Sequence, residues 1–393
     1  MKLLLINHFP LEGSGSGIYT KNIASKMMDK GFEVKAIVVD NKKVNDKYPF
    51  PVTTIYYPQF PCFTTHPKSN KTFYDFSREE MNEYFNIFKN TIEDEVDFFN
   101  PDLIHCQHLW IAPYAVSHLD VPYLVTSHGT DIKGFVKDRR YHHAALKGAQ
   151  NAHKIVAVSK KVKEQIKEHY NINEDKIELI WNGFDEKLFS PHKVDLNKLS
   201  KELLKNKNIL DSKHIVSFVG KLTHFKGVDL LLEAGKIYEK ELDNVVTLIS
   251  GDGELRDELK YRAKKLNLKN FYFLGNQPQE NIAKINSIAN VAVVPSRDEP
   301  FGLVALEAMA CGTPVIASKT GGLTDFINNE VGRFFPEGNY KALAESIISS
   351  LKENDKEIKG GIAKKYAHNN FSWNKVADQL EKLYLETVKE GTR

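Results

Sequence analysis

Along the chain, short apolar runs rich in β-branched residues alternate with stretches whose apolar positions recur at helical spacing. That is the pattern of βαβ units built around a parallel sheet buried on both faces. Two such series can be read. The first places strands at 2–9, 33–40, 102–109, 123–128, 154–159 and 177–181, with helices such as 18–30 and 160–170 between them. The second restarts at 215–219 and continues through 245–250, 271–274, 291–295 and 314–317. Between the series lie Asn182-Gly183-Phe184-Asp185, then Ser190-Pro191 and a Lys- and Asn-rich stretch to Asp211, which read as hinge and linker. At the far end Trp373, Val376, Leu380, Leu383 and Tyr384 share one helical face, so 371–390 is a closing amphipathic helix. Residues 48–72 escape the pattern. They are rich in proline, aromatics and threonine, precede a helix-like 78–100, and read as an excursion at the edge of a ligand crevice.

The length, 393 residues, exceeds one ordinary core and suits two domains. The expected division is 1–185, completed by the helix at 371–393, and 186–370. Hydrophobic residues at 41% supply both cores, and 27% charged residues describe a water-soluble surface. Balanced charge, +3 overall without long single-sign blocks, gives no reason to invoke nucleic acid, while peripheral contact with an anionic membrane stays compatible with it. Cys62, Cys106 and Cys311 form no Cys-x-x-Cys or zinc-like pattern, which fits a reducing cytoplasm. The opening apolar run ends at Asn7 and His8, too early for a signal peptide, and no run is long enough to span a bilayer.

The segment from Pro295 to Gly312 carries the densest chemistry. It reads strand, loop, helix, with Pro300 and Gly302 shaping the turn. With the helix beginning near Gly302, the N–H groups of Gly302, Leu303 and Val304 face the sheet's carboxyl edge, a place suited to phosphate. Glu299 precedes the turn and Glu307 follows on the helix, so one carboxylate reaches a hexose and the other a ribose across a diphosphate. Either glutamate alone reads better as a capping or solvated acid. In the first half, Gly13-Ser14-Gly15-Ser16-Gly17 before a helix lets a backbone approach phosphate, and with Asp40 at the end of the next strand it equally suits a dinucleotide.

Framed by Pro300-Phe301-Gly302 and followed by Gly312-Thr313-Pro314, the pair resembles the retaining glycosyltransferases with a Glu-x7-Glu signature, the GT-B group 1 or family 4 enzymes. These include sucrose-phosphate synthases and many bacterial hexosyltransferases. Gly220-Lys221-Leu222 with Lys226-Gly227 resembles the family's basic pair on the diphosphate, although arginine is usual where Lys221 stands. Ser250-Gly251-Asp252-Gly253 resembles the glycine turn beside the nucleotide. Phe273-Leu274-Gly275-Asn276-Gln277 resembles the segment that reads the base, with Gln277 as its contact. Gly321-Gly322 resembles the wall of the donor pocket, with Asp325 where glutamate is usual. His128-Gly129-Thr130-Asp131 is similar to the histidine motif of the amino-terminal domain.

The resemblance implies an α/β, GT-B fold of two facing Rossmann-like doubly wound domains with a cleft between them. It implies catalytic roles for His128, Lys221, Lys226 and Glu299. Donor contacts would come from Gly15, Gly17, Gly220, Gly251, Gln277, Phe301, Gly302, Leu303, Val304 and Glu307, with Asp131 partnering the acceptor or the histidine.

No Asp-x-Asp metal motif occurs, so no metal and no cofactor is expected. Leaving-group charge then falls to Lys221, Lys226 and the helix amides. The implied reaction is front-face transfer of a hexose or N-acetylhexosamine from a nucleotide-sugar donor, UDP-glucose or UDP-N-acetylglucosamine ahead of GDP-mannose. The acceptor is a small polyol, aminocyclitol or sugar ahead of a lipid, and the enzyme a monomer or homodimer, cytoplasmic or peripheral at the inner membrane face. Three rivals stand beside this. A nicotinamide-dependent oxidoreductase would leave Glu299, Glu307 and Lys226 idle, a nucleotide-sugar epimerase would need no acceptor pocket, and an inert binding module would not need every charged donor position filled. Around Tyr56, Phe60, Phe63 and Phe73, with His66, His105, His108 and Trp110, the aromatic surface either stacks an acceptor or is ordinary packing. Basic residues along 154–167, diluted by Glu164 and Glu168, resemble a membrane-docking helix.

Overall fold

The computed structural model describes residues 1–44, 47–64, 66–204 and 214–391. Thr65 of the irregular segment, positions 205–211 of the expected linker and 392–393 lie outside the described residues. The chain forms two compact units, Met1–Gly183 with Trp373–Arg393, and Phe184–Ser372.

In the first unit the order is β1 (Lys2–Asn7), α1 (Gly15–Asp29), β2 (Glu33–Asp40), β3 (Val52–Tyr56), α2 (Arg78–Phe99), β4 (Leu103–Gln107), α3 (Ala112–Val116), β5 (Tyr123–Ser127), α4 (Thr130–Lys137), α5 (His142–Asn151), β6 (Lys154–Ala157), α6 (Lys160–Tyr170) and β7 (Ile177–Leu179). Its seven strands run in the order β3-β2-β1-β4-β5-β6-β7, every pairing parallel. The alternation of side chains on β1 shows why the strand is apolar throughout. Leu4 and Ile6 join a cluster with Phe88 and Ile92 of α2, while Leu3 and Leu5 join one with Tyr19, Ile23 and Met27 of α1. Helix α2 starts at a capping box in which Ser77 Oγ accepts the Glu80 N–H at 3.2 Å and Glu80 Oε2 accepts the Ser77 N–H at 2.8 Å.

The second unit contains α7 (Leu196–Leu204), β8 (His214–Val219), α8 (Val228–Glu241), β9 (Val245–Ser250), α9 (Arg256–Lys265), β10 (Phe271–Gly275), α10 (Gln279–Ile288), β11 (Val291–Val294), α11 (Leu303–Ala310), β12 (Val315–Ser318), α12 (Leu323–Phe326), β13 (Gly332–Phe335), α13 (Tyr340–Lys352) and α14 (Asp355–Phe371). Its sheet order is β10-β9-β8-β11-β12-β13, again all parallel. Helix α15 (Trp373–Gly391) then returns to the first unit, where Trp373, Val376, Leu380, Leu383 and Tyr384 pack into the cluster holding Leu3, Leu5 and Tyr19.

Four expectations are corrected. Residues 48–72 include strand β3, a short edge strand between Pro51 and Pro58 whose residues are mostly half-buried. Strand β13 closes the opposite edge of the second sheet and was not anticipated. The stretch assigned to linker contains α7, with Leu199 buried. Finally, α1 begins at Gly15 rather than residue 18, because Ser14 caps it through Gly17.

Candidate active site

Ligands of doubly wound sheets gather beyond the carboxyl ends of the strands, where strand order reverses. In the second unit that point lies between β8 and β11. The turn His224–Lys226 follows β8, and the loop carrying Glu299 follows β11. Lys226 Nζ donates to Glu299 Oε2 at 2.6 Å, and Ser296 Oγ donates to the same oxygen at 3.1 Å. Glu299 is only 6% exposed, so burial and these two donors fix its carboxylate. Its main chain is fixed as well. The Glu299 carbonyl accepts the Gly322 N–H at 2.9 Å, and a Cβ on Gly321, at φ +53°, would lie 1.9 Å from that oxygen.

Gly302, at φ +106°, caps α11, whose first N–H groups, including those of Leu303 and Val304, have no partner within the helix. Glu307 lies further along α11. Burial drives its carboxyl up to about 8. Lys221 is exposed beside Gly220 at the end of β8.

Other expected donor contacts are more constrained. Gly220 and Gly251 pack backbone to backbone: a Cβ on Gly251 would lie 1.9 Å from the Gly220 carbonyl oxygen. Phe301 is a core side chain, 3% exposed and 5.3 Å from the Phe326 ring, which leaves its main chain to meet a ligand. Gln277 spends its amide internally, donating to the Leu274 carbonyl at 2.8 Å and accepting from Asn281 at 3.2 Å.

In the first unit His128 follows β5. Its Nε2 bonds Gln107 Oε1 at 2.9 Å, and its ring lies 4.9 Å from that of His108 and 5.2 Å from that of Tyr19. Burial, reinforced by His108, lowers the imidazole to about 3, so it stays neutral. Other residues of this unit are held by the fold itself. Asp131 is fully buried and its Oδ2 accepts the Leu109 N–H at 2.7 Å, which ties the β4 loop to α4, and its charge acts on His128, the histidine alternative of the sequence reading. Gly17 lies inside α1, its N–H held by Ser14 Oγ at 3.0 Å, and a Cβ there would fall 2.1 Å from the Pro10 carbonyl; it serves packing, while Gly15 has open space around it. The aromatic stretch is mostly core: Phe60, Phe73, His105 and Trp110 are fully buried, and Tyr56 at 56% is the exposed exception. In α6, Val162, Ile166 and Tyr170 turn inward, and Lys163 and Lys167 both pair with Glu174.

Two residues passed over in the sequence bind the donor loops together. Arg297 grips Asp229 of α8 with both terminal guanidinium nitrogens, at 2.8 and 2.7 Å, and also donates to the His224 carbonyl at 2.8 Å. Their signal was proximity, two residues before Glu299 and three after Lys226.

Two parallel doubly wound units, one with a cation–carboxylate pair and a helix N-terminus at its switch point, define the GT-B glycosyltransferase class. The chain belongs to that family. The model described as "Glycosyl transferases group 1" matches residues 200–367 and that described as "Glycosyltransferase Family 4" matches 13–188. An uncharacterized glycosyltransferase of Methanocaldococcus jannaschii is 30% identical over 391 residues, covering 94% of each chain. A D-inositol 3-phosphate glycosyltransferase of Corynebacterium aurimucosum is 28% identical over 75% of this chain and 73% of its own. In fold, the Anabaena HepE protein solved with UDP-glucose is similar at TM-score 0.77 and 20% identity, covering 98% of this chain and 99% of that one. The protein is thus an enzyme that transfers sugar.

Proposed function

We propose that the enzyme moves a hexose or N-acetylhexosamine from a UDP-sugar to a hydroxyl of a small polyol or sugar, with retention and without a metal. The observation that carries this reading is the Lys226–Glu299 pair, at 2.6 Å, beside the start of α11. A diphosphate matches Lys226, Lys221 and the α11 amides in charge. Sugar hydroxyls match the Glu299 carboxylate, and ribose hydroxyls match Glu307. UDP is favoured because the structurally similar HepE was solved with UDP-glucose. A polyol is favoured because a relative bears the name D-inositol 3-phosphate glycosyltransferase. In the reaction the bond from the anomeric carbon to the diphosphate breaks and a bond to the acceptor oxygen forms on the same face. The acceptor proton passes to the departing phosphate, whose charge Lys221, Lys226 and the helix amides hold. Three buried free cysteines suit the reducing cytoplasm we assign to it.

The test is calorimetry of the full chain with UDP, UDP-glucose, UDP-N-acetylglucosamine and GDP-mannose, followed by acceptor screening and analysis of anomeric configuration in the product. Binding of the UDP compounds and an axial-to-axial outcome are expected. No binding of any nucleotide sugar, an inverted product, or a nicotinamide-dependent absorbance change would sink the reading.

A further inference from the structure

Lys226 sits at the end of a three-residue turn, and a lysine side chain there has many rotamers and no helix to restrain it. Something must hold the turn at the distance where Nζ meets Glu299. The carbonyls of the two preceding residues both accept from one residue of the facing loop, that of His224 in addition to the Gly227 N–H at 3.2 Å. The Arg297 side chain donates to His224 O, and its main-chain N–H donates to Phe225 O at 2.8 Å. The same guanidinium is anchored in turn by both oxygens of Asp229, which stands in the first turn of α8, where a negative charge is favourable. Burial alone would raise the Asp229 carboxyl, but the Arg297 guanidinium together with Arg262 and a backbone hydrogen bond offsets it and holds the acid below its usual range. Two residues beyond Arg297, Glu299 completes a closed ring of contacts running through 224–226, 229 and 297–299.

Resting on the nucleotide-sugar reading above, we infer that Arg297 and Asp229 are positioning residues for the donor diphosphate, acting through Lys226. Neither residue needs to touch the donor. Arg297 fits this task where lysine would not, because only a planar fork can bind a carboxylate with two nitrogens and a carbonyl at the same time.

The experiment is a double-mutant cycle read by UDP binding, using calorimetry on the full chain well below its melting temperature. Arg297→Met is expected to weaken UDP about tenfold, and Lys226→Ala at least as much. The double variant Arg297→Met/Lys226→Ala is expected to bind no worse than Lys226→Ala alone, since the clamp has nothing left to aim. Arg297→Lys is expected to restore little. Should Arg297→Met fail to fold, Asp229→Asn, which keeps the carbonyl contacts, tests the same ring. Unchanged UDP affinity in the folded single variants, or losses that add in the double variant as a merely structural role would give, would overturn the inference. Absence of UDP binding by the unsubstituted enzyme would instead overturn the donor reading, so the two failures are distinct.

Discussion

Lys226 and Glu299 form a contact ion pair at 2.6 Å, with Glu299 almost wholly buried. In the proposed reaction each must change partner, Lys226 to a phosphate oxygen and Glu299 to sugar hydroxyls. Removing the charge of Glu299 alone separates the two halves of that exchange. Glu299→Gln is expected to bind UDP, which has no sugar, as tightly as the unsubstituted enzyme or more so, while turnover of the UDP-sugar falls by about 100-fold. Weaker UDP binding in a folded Glu299→Gln enzyme would show that the pair assists the nucleotide instead of competing with it. Glu307 gives a pH signature. Its carboxyl titrates near 4.5 when unfolded and is raised toward about 8 by burial in the fold. Between those values the unfolded chain releases a proton that the folded one keeps, so the stability associated with neutral Glu307 is full below about 4.5 and lost as pH rises through about 8. The melting temperature of Glu307→Gln should therefore fall less steeply from pH 5 to pH 9 than that of the parent, and parallel curves would refute the shift. At this scale the sequence was most informative where several short motifs agreed. It left Asp131 and Gly17 open, because a strand-end acid and a glycine loop look the same whether they face a ligand or the core.

Among elements, the strands with fully buried faces were readable because both faces needed apolar residues, as in β2 and β9, whose limits agree with their sequence patterns. The edge strands were not. In β3 one residue of five is buried, and β13 has four residues with only its ends buried, so neither shows an apolar run or an alternation. Helix α15 was readable from its spacing, and its packing assigns it a cost. Trp373 is 3% exposed and sits against Gly183, where a Cβ would come within 2.6 Å of the indole. Trp373→Ala is expected to destabilise the first unit by roughly 3–5 kcal/mol through the cavity left behind. Denaturant unfolding followed by a probe in that unit checks it, and a loss under about 1 kcal/mol would mean the helix docks without this anchor.

For the whole molecule, the two sheets share one winding scheme but differ in how their chains close. The second unit is built from one continuous stretch, Phe184–Ser372, whereas the first needs Trp373–Arg393 to cover the face formed by Leu3, Leu5 and Tyr19. During synthesis, then, the half that begins first cannot be finished first. Its sheet emerges early with that apolar face covered by α1 alone, and α15 follows only after the second unit. The second unit has all its own residues in hand before that helix leaves the ribosome. The order in which the two units begin is therefore not the order in which each has all its residues.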